Sequence, residues 1–162
     1  MEGDLLTVTN LKDAWAWLLR DLGQPFALET LCELQRRVSR DQALIAGDLR
    51  TGPIGISGTE YRPPIPEKET VREELSHLMQ KPDPTDRALR VMLYGMRAQL
   101  FYDGNKRTSM LAANKILMEN GLGLIAVPPE DLETFHRLLS DYYTTGDGEK
   151  MIEYLKEKCL EK

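Results

Sequence analysis

The sequence is poor in the residues that build disulfide frameworks and metal clusters. It has two cysteines and two histidines among 162 residues. Cys32 and Cys159 lie far apart, and neither has another cysteine nearby, so we expect free thiols in a reducing compartment rather than a disulfide. His77 and His136 each lie beside an apolar helix face, and no second metal ligand follows at a suitable spacing. We therefore interpret His136 as structural, and His77 as a satisfied or exposed side chain rather than a catalyst.

Long apolar runs and an excess of positive charge are also missing. No stretch approaches the ~20 apolar residues that a membrane-spanning helix needs. The first residues, Met1-Glu2-Gly3-Asp4, lack the basic-then-apolar order of a signal peptide. The net charge of -5 argues against nucleic acid or an anionic membrane as the main partner. These absences predict a cytoplasmic protein that binds neither nucleic acid nor a membrane.

The length and composition suit a single domain spanning residues 1–162. The chain is 41% hydrophobic and 29% charged, as in ordinary globular proteins. Apolar residues recur at helical spacing along most of it. Trp15, Met92 and Met96 fall on these apolar stripes, so we expect them in the core. The pattern predicts an all-α fold of about seven helices, which begin at about residues 10 (with Asn10 as N-cap), 27, 67, 85, 109, 130 and 149, the second running to about Leu44.

One segment differs from the rest of the chain in amino-acid composition. Between Gly47 and Pro64 there are four glycines and three prolines among residues that favour strands. This composition excludes a helix and predicts short strands joined by a tight turn, at about residues 49–64.

The stretch from Gln99 to Thr108 concentrates reactive side chains in a short turn. An apolar-periodic segment, 109–120, follows at once and ends at Gly121. The turn therefore lies at the start of a helix, where unpaired backbone N–H groups and the helix dipole favour an anion.

The side chains of this turn suit phosphate and a metal ion. Gly104 allows a ligand to approach the backbone closely. Lys106 and Arg107 add donors and positive charge that suit phosphate. Asp103 supplies a hard oxygen ligand for Mg²⁺ held between protein and phosphates. The residues alone predict a phosphate site with a metal at a loop-to-helix junction.

The same stretch resembles the signature of the Fic/Doc family, His-x-Phe-x-(Asp/Glu)-(Gly/Ala)-Asn-(Gly/Lys)-Arg. Lys106, in place of the commoner glycine, is similar to the Doc branch. Asn114 and Gly121 fall where the family's next helix carries them. The resemblance covers about residues 28–155, with the signature at 99–107, and implies the Fic fold with a β-hairpin flap. The matching positions are Phe101, Asp103, Gly104, Asn105, Lys106 and Arg107.

Two positions depart from the family pattern. Gln99 occupies the position of the catalytic histidine, and Met110 that of a second arginine found in the AMP-transferring members. A glutamine can hydrogen-bond a hydroxyl but cannot accept its proton. General-base help is worth about 10²–10⁴ in rate. Two alternatives remain open: a transferase with reduced activity, or an inactive Fic-fold module that binds a nucleotide or a partner. Met110 favours the binding module or a Doc-like phosphate transfer.

The resemblance also implies a chemistry. In the family, ATP lies over the loop's N–H groups with Mg²⁺ on the acid. A hydroxyl of a target protein, deprotonated by the histidine, attacks the α-phosphate and becomes AMP-modified. Doc-like members transfer the γ-phosphate instead. Carried over to this chain, Asp103 holds the metal, the segment Gly104, Asn105 and Lys106 lines the anion site, and Arg107 clamps a phosphate.

Partners follow from the same resemblance. The sequence from Ala46 to Pro64 matches the family's flap, a hairpin that holds the target protein by strand pairing. The match implies that Ile54, Gly55 and Ile56 bind a target protein in this way. The family's inhibitory motif, (Ser/Thr)-x-x-x-Glu-(Gly/Asn), has one near match at 145–150, but Lys150 stands where Gly or Asn belongs. We interpret that stretch as a helix start and expect any inhibitor to be a separate antitoxin-like chain.

Overall fold

The structure, a computed structural model, describes residues 2–162. Within that range it contains seven α-helices and one pair of two-residue strands, which confirms the all-α prediction. No helix in the described range combines the length and the hydropathy needed to cross a bilayer. A 3-10 turn (Pro129–Asp131) leads into α6, and a π-helical turn (Leu155–Cys159) continues α7. The elements are α1 (Glu2–Asp21), α2 (Leu28–Val38), α3 (Lys68–Met79), α4 (Pro84–Ala98), α5 (Asn105–Glu119), β1 (Leu124–Ile125), α6 (Leu132–Thr145), α7 (Glu149–Tyr154) and β2 (Leu160–Glu161).

Helices α4 and α5 form the centre of the fold and carry the signature loop between them. Gly95 of α4 lies against Ser109 of α5, and a Cβ at this glycine would collide with the serine hydroxyl. The glycine therefore allows the two helices to approach closely. Met92 and Met96 of α4 are fully buried, as the apolar spacing predicts. Trp15 is only partly buried, at the edge of this core.

The first helix starts earlier than predicted. Asn10 was expected as its N-cap, but α1 begins at Glu2 and Asn10 lies buried in the middle of it. The Asn10 Nδ2 atom donates to the carbonyl oxygens of Val38 (3.3 Å) and Arg40 (2.8 Å). This amide satisfies the carbonyl of the last helical residue, Val38, and one just beyond it, at the point where α2 ends instead of running to about Leu44. An asparagine that caps its own helix and one that caps a neighbour look alike in sequence.

The predicted β-hairpin at 49–64 is wrong in its secondary structure. The structure has no strand there, and no backbone–backbone hydrogen bond joins two residues of 51–64. The only antiparallel pairing in the described chain joins β1 to β2. The segment, which we call the flap, is an extended loop with a turn at Ser57 and Gly58. Three prolines remove ladder donors, and the side chain of Arg50 joins the two arms instead, donating to the carbonyls of Gly52 (2.9 Å), Pro63 (3.3 Å) and Pro64 (2.7 Å).

The C-terminal predictions are confirmed. Helix α6 ends at Thr145, and α7 begins at Glu149, so the near match to the inhibitory motif is a helix start. Along the rest of the chain as well as here, both histidines, His77 and His136, are exposed, and Cys32 and Cys159 are free thiols. The expected inward face of the last helix is buried: Met151, Ile152, Leu155 and Cys159.

Candidate functional site

The signature loop occupies the turn between α4 and α5. Gln99 ends α4 in the left-handed conformation (φ 48°, ψ 61°). Helix α5 then begins at Asn105, four residues earlier than the predicted Ser109. Its first backbone hydrogen bond runs from Thr108 N to the carbonyl of Gly104 (2.9 Å). Within the described chain, the three N–H groups of residues 105–107 donate to no protein acceptor. They form the anion-attracting helix start that the sequence predicts.

Gly104 is required by both conformation and space. Its φ of 75° lies in the left-handed region, which non-glycine residues rarely adopt. A Cβ here would lie 2.5 Å from Ser39 Oγ and 3.0 Å from Val38 Cγ1. The glycine therefore lets the end of α2 pack directly against the signature loop.

Asn105 shapes the loop through its side chain. Its Oδ1 accepts a hydrogen bond from Phe101 N (3.0 Å), and its Nδ2 donates to Phe101 O (2.7 Å) and to Gln99 Oε1 (3.2 Å). Phe101 is anchored in the core. The amide of Asn105 is thus committed to the loop, and only its backbone N–H is available to an anion.

Asp103 presents an oriented, partly exposed carboxylate. Its Oδ2 accepts hydrogen bonds from Ser39 Oγ (3.0 Å) and from Arg107 Nη2 (3.3 Å). Its backbone carbonyl accepts from Gln35 Nε2 (3.0 Å). Among the described residues, no group donates to Oδ1. One oxygen of this acid is therefore held and the other is available.

The two neighbouring cations differ in environment. Lys106 is exposed. Arg107 is partly buried, and its Nη1 atom is buried with no hydrogen-bond partner in the described chain. A buried donor without a partner costs about 1–3 kcal/mol, so Nη1 is a place where an anion would be stabilised. Met110, one helical turn after Lys106, is partly buried against the core and supplies no charge.

The side chains near the loop determine how a metal ion could be coordinated. No group of three or more His, Cys, Asp or Glu side chains in the described residues could hold a metal by itself. Mg²⁺ is commonly held by one or two carboxylates together with substrate phosphates and water. The free Oδ1 of Asp103, next to the open N–H groups, fits that arrangement.

Gln99 uses both ends of its amide inside the protein. Its Nε2 donates to Met96 O (2.6 Å), and its Oε1 accepts from Asn105 Nδ2. Its backbone carbonyl accepts from the side chain of Arg50. The glutamine is a structural part of the loop in this arrangement, and an amide has no basic site with which to take a proton.

Sequence reasoning missed Tyr102, which joins the signature loop to the flap. The Tyr102 hydroxyl accepts hydrogen bonds from Gly52 N (2.7 Å) and Thr51 N (3.2 Å). The hydroxyl of Thr51, with these N–H groups, lowers the pKa of Tyr102. No local pattern could reveal a contact across some fifty residues; the only sequence signal was the presence of a tyrosine inside the signature.

The tip of the flap is attached to α6. Ser140 Oγ donates to Gly58 O (2.5 Å), and the hydroxyls of Thr59 and Thr144 lie 2.7 Å apart. The guanidinium of Arg97 stacks over the ring of Tyr61 at 3.8 Å. The flap therefore crosses from the signature loop towards α6. Ile54 and Ile56 are partly buried, Gly55 is exposed, and none of these three makes a backbone–backbone hydrogen bond within the described chain.

Two adjoining cavities, of about 430 and 490 Å³, lie along α3 and α4. They share Glu74, Tyr94 and Tyr142. No residue from 101 to 107 lines either of them. His77 lines the first, but it is exposed and far from the signature loop in sequence. Within the signature loop, Leu100 alone lines a cavity, the second one, so neither cavity borders the charged part of the loop.

Comparisons with known proteins concern the sequence family and the fold. The sequence model of the Fic/DOC family matches residues 25–117, more than half of the chain. No curated protein matches the sequence. Residues 134–508 of Fic-1 from C. elegans superimpose with a TM-score of 0.80 at 22% identity, covering 94% of this chain and 47% of that one.

Two further solved structures are similar to the chain in fold. A Fic domain containing signaling protein from Bacteroides thetaiotaomicron has a TM-score of 0.71 at 18% identity, covering 86% of this chain and 57% of its own. A variant of the C. elegans segment has a TM-score of 0.73 at 23% identity, covering 93% and 47%. The chain spans about half the length of these proteins. At such identities the similarity is one of fold, and with the match over 25–117 it leads to one conclusion: the chain belongs to the Fic/DOC family.

Proposed function

We propose that this chain binds the polyphosphate of a nucleotide such as ATP at residues 103–107, and that its transfer of AMP or phosphate to a protein hydroxyl is strongly reduced by Gln99. One observation carries the proposal. Three open N–H groups, an arginine with an unpaired buried donor and an acid with a free oxygen lie within one helical turn.

The phosphate part of the proposal rests on complementary charge and hydrogen bonding. Open N–H groups at a helix start and a guanidinium are both good donors to phosphate oxygens. Lys106 adds an exposed positive charge to a protein with a net charge of -5. The cation pair thus provides a local basic site on an acidic surface.

Asp103 is the proposed ligand for Mg²⁺ through its free Oδ1. When bound, the metal would supply charge neutralisation for the phosphates. The chain's own part is to hold the carboxylate in place, through Ser39 and Arg107 on Oδ2. Phosphoryl and nucleotidyl transfer depend largely on such positioning and charge stabilisation, so residual activity without a general base is compatible with this site.

The step that this chain performs poorly is removal of the hydroxyl proton. The amide of Gln99 cannot take the proton, and both of its ends are engaged with Met96 and Asn105. This engagement also supports the second candidate function, an inactive module that binds a nucleotide or partner without turnover.

The proposed target site is the flap at Ile54, Gly55 and Ile56. Their backbone groups make no backbone–backbone hydrogen bond in the described chain. An extended segment of this kind can pair with the backbone of another protein without reading its sequence. A separate antitoxin-like chain is the proposed inhibitor.

Labelled ATP tests the proposed activity and its mode. The protein is incubated with Mg²⁺, a mixture of candidate target proteins and ATP carrying the label on either the α- or the γ-phosphate. Slow incorporation of the α-label supports AMP transfer, and incorporation of the γ-label supports phosphate transfer, which Met110 favours. ATP binding with no incorporation of either label supports the inactive module.

The substitution Arg107→Ala tests the phosphate site. Because charged hydrogen bonds are worth about 1.5–3 kcal/mol, we expect ATP affinity to fall about 10- to 100-fold in calorimetry. Arg20→Ala, which removes an exposed arginine of α1, is the matched control and should bind as wild type does. Equal affinity of the two variants would refute the role of Arg107.

A further inference from the structure

Two buried polar side chains lie at the C-terminal end of α2: Gln35 within the helix and Ser39, the residue that caps it. Gln35 and Ser39 are both fully buried, on the same side as Leu31, Leu34 and Val38. They are four residues apart, so they lie one above the other on the helix. Both contact the same residue of the signature loop, Asp103.

Buried polar groups are costly unless they are hydrogen-bonded. Gln35 satisfies this condition with both ends of its amide. Its Nε2 donates to the carbonyl of Asp103 (3.0 Å), and its Oε1 accepts from Gly47 N (2.6 Å). It thereby fixes the backbone at Asp103 and the chain that leads into the flap.

Ser39 acts on the carboxylate itself. Its Oγ donates to Asp103 Oδ2 (3.0 Å), the same oxygen that Arg107 contacts. The lack of a Cβ at Gly104 leaves room for this hydroxyl, because such an atom would lie only 2.5 Å from Ser39 Oγ. Helix α2 therefore delivers a donor to one defined oxygen of Asp103.

Ser39 and Arg107 both donate to the carboxylate of Asp103, and this decides which of its oxygens is open. An arginine and a carboxylate favour a bidentate pair, in which both oxygens are used. With Ser39 present, the contacts of Ser39 and Arg107 both fall on Oδ2, and Oδ1 stays open. Without Ser39, Arg107 is the only side chain in the described residues that contacts the carboxylate, and a bidentate pair would occupy Oδ1.

We propose that Ser39 and Gln35 are positioning residues, which keep Asp103 Oδ1 free for a divalent cation and prevent Arg107 from pairing with both carboxylate oxygens. This inference rests on the proposed function, in which Asp103 holds Mg²⁺ next to the nucleotide phosphates. It assigns a role in metal affinity to a helix that lies outside the signature.

The test separates metal affinity from nucleotide affinity. ATP binding is measured by calorimetry over a series of Mg²⁺ concentrations and again in excess chelator. Mg²⁺ is expected to raise the affinity for ATP. We expect Ser39→Ala to raise the Mg²⁺ concentration at which half of this gain in affinity is reached by about 10- to 100-fold, as loss of an outer partner of a metal ligand typically does. ATP affinity in chelator should change less than about twofold.

Further variants guard against a purely structural effect. Ser76→Ala, at an exposed position of α3, should behave as wild type. Ser39→Cys keeps the shape of the side chain, with a slightly larger atom at its end, but donates weakly, so it should reproduce the metal defect even if Ser39→Ala fails to fold. Gln35→Leu should shift the Mg²⁺ requirement in the same direction.

The outcomes distinguish the inference from the function on which it rests. Mg²⁺-dependent ATP binding by the wild type with an unshifted Mg²⁺ requirement in Ser39→Cys overturns the inference alone. An equal loss of ATP affinity with and without Mg²⁺ also overturns it, because Ser39 would then act on the loop as a whole. No ATP binding by the wild type at any Mg²⁺ concentration overturns both.

Discussion

Gln99→His is expected to raise the rate of AMP or phosphate transfer by about 10²–10⁴-fold, the usual contribution of a general base. The position tolerates the change, because histidine is among the residues enriched in the left-handed conformation that Gln99 adopts. The hydrogen bond from Arg50 goes to the backbone carbonyl and does not depend on the side chain.

The measurement is label transfer from ATP to a target protein, followed over pH. The rate of Gln99→His should rise with pH through the range in which an imidazole loses its proton, because only the neutral ring can act as a base. Gln99→Ala is the matched control, since it removes the same hydrogen bonds to Met96 and Asn105 without adding a base. If Gln99→His binds ATP and is no faster than Gln99→Ala, the loop is not a catalytic centre.

Arg50→Leu is expected to lower the free energy of unfolding by about 3–5 kcal/mol, because each buried carbonyl left without its donor costs about 1–3 kcal/mol. Arg50 is 1% exposed. Its guanidinium donates to five carbonyl oxygens from three parts of the chain, and leucine would leave all of them without that donor. The acceptors belong to Gly52, Pro63, Pro64, Ala98 and Gln99.

Thermal unfolding checks this prediction, with an expected fall in Tm of about 6–20 °C. Limited proteolysis gives a second readout, since residues 51–64 should be cut faster once their two arms are no longer joined. Arg62→Leu, at an exposed flap position, is the control and should change Tm by less than about 2 °C. A Tm for Arg50→Leu within that same interval would show that the flap is held by other contacts.

Most of the helices could be predicted because their signal is local. Apolar residues at a 3.6-residue period identify a buried face wherever it packs, and α3, α4 and α7 start within about two residues of their predicted positions. The signature loop was also readable, since Gly104, Asn105 and Arg107 are consecutive or nearly so. Its role in binding a nucleotide and Mg²⁺ stays a prediction.

The incorrect predictions and the missed contacts have a common cause: each depends on residues that are far apart in sequence. The sequence predicts Asn10 as a cap for its own helix, but its side chain donates to carbonyls twenty-eight and thirty residues away. The flap has the composition of a hairpin, yet Arg50 joins its arms in place of a ladder. Gln35 and Ser39 reach Asp103 across 68 and 64 residues. Nothing in the neighbouring sequence of any of these residues identifies the partner.

The helical class, the family and the ten-residue turn with the proposed phosphate-binding groups could be read from the order of the amino acids, because those features depend on neighbours along the chain. How the turn is held became visible in the folded chain: Ser39 and Arg107 contact one oxygen of Asp103, Tyr102 contacts the base of the flap, and Gln99 makes side-chain hydrogen bonds to Met96 and Asn105. These contacts depend on the fold because a buried polar group must find a hydrogen-bond partner wherever the packed chain provides one, however distant in sequence.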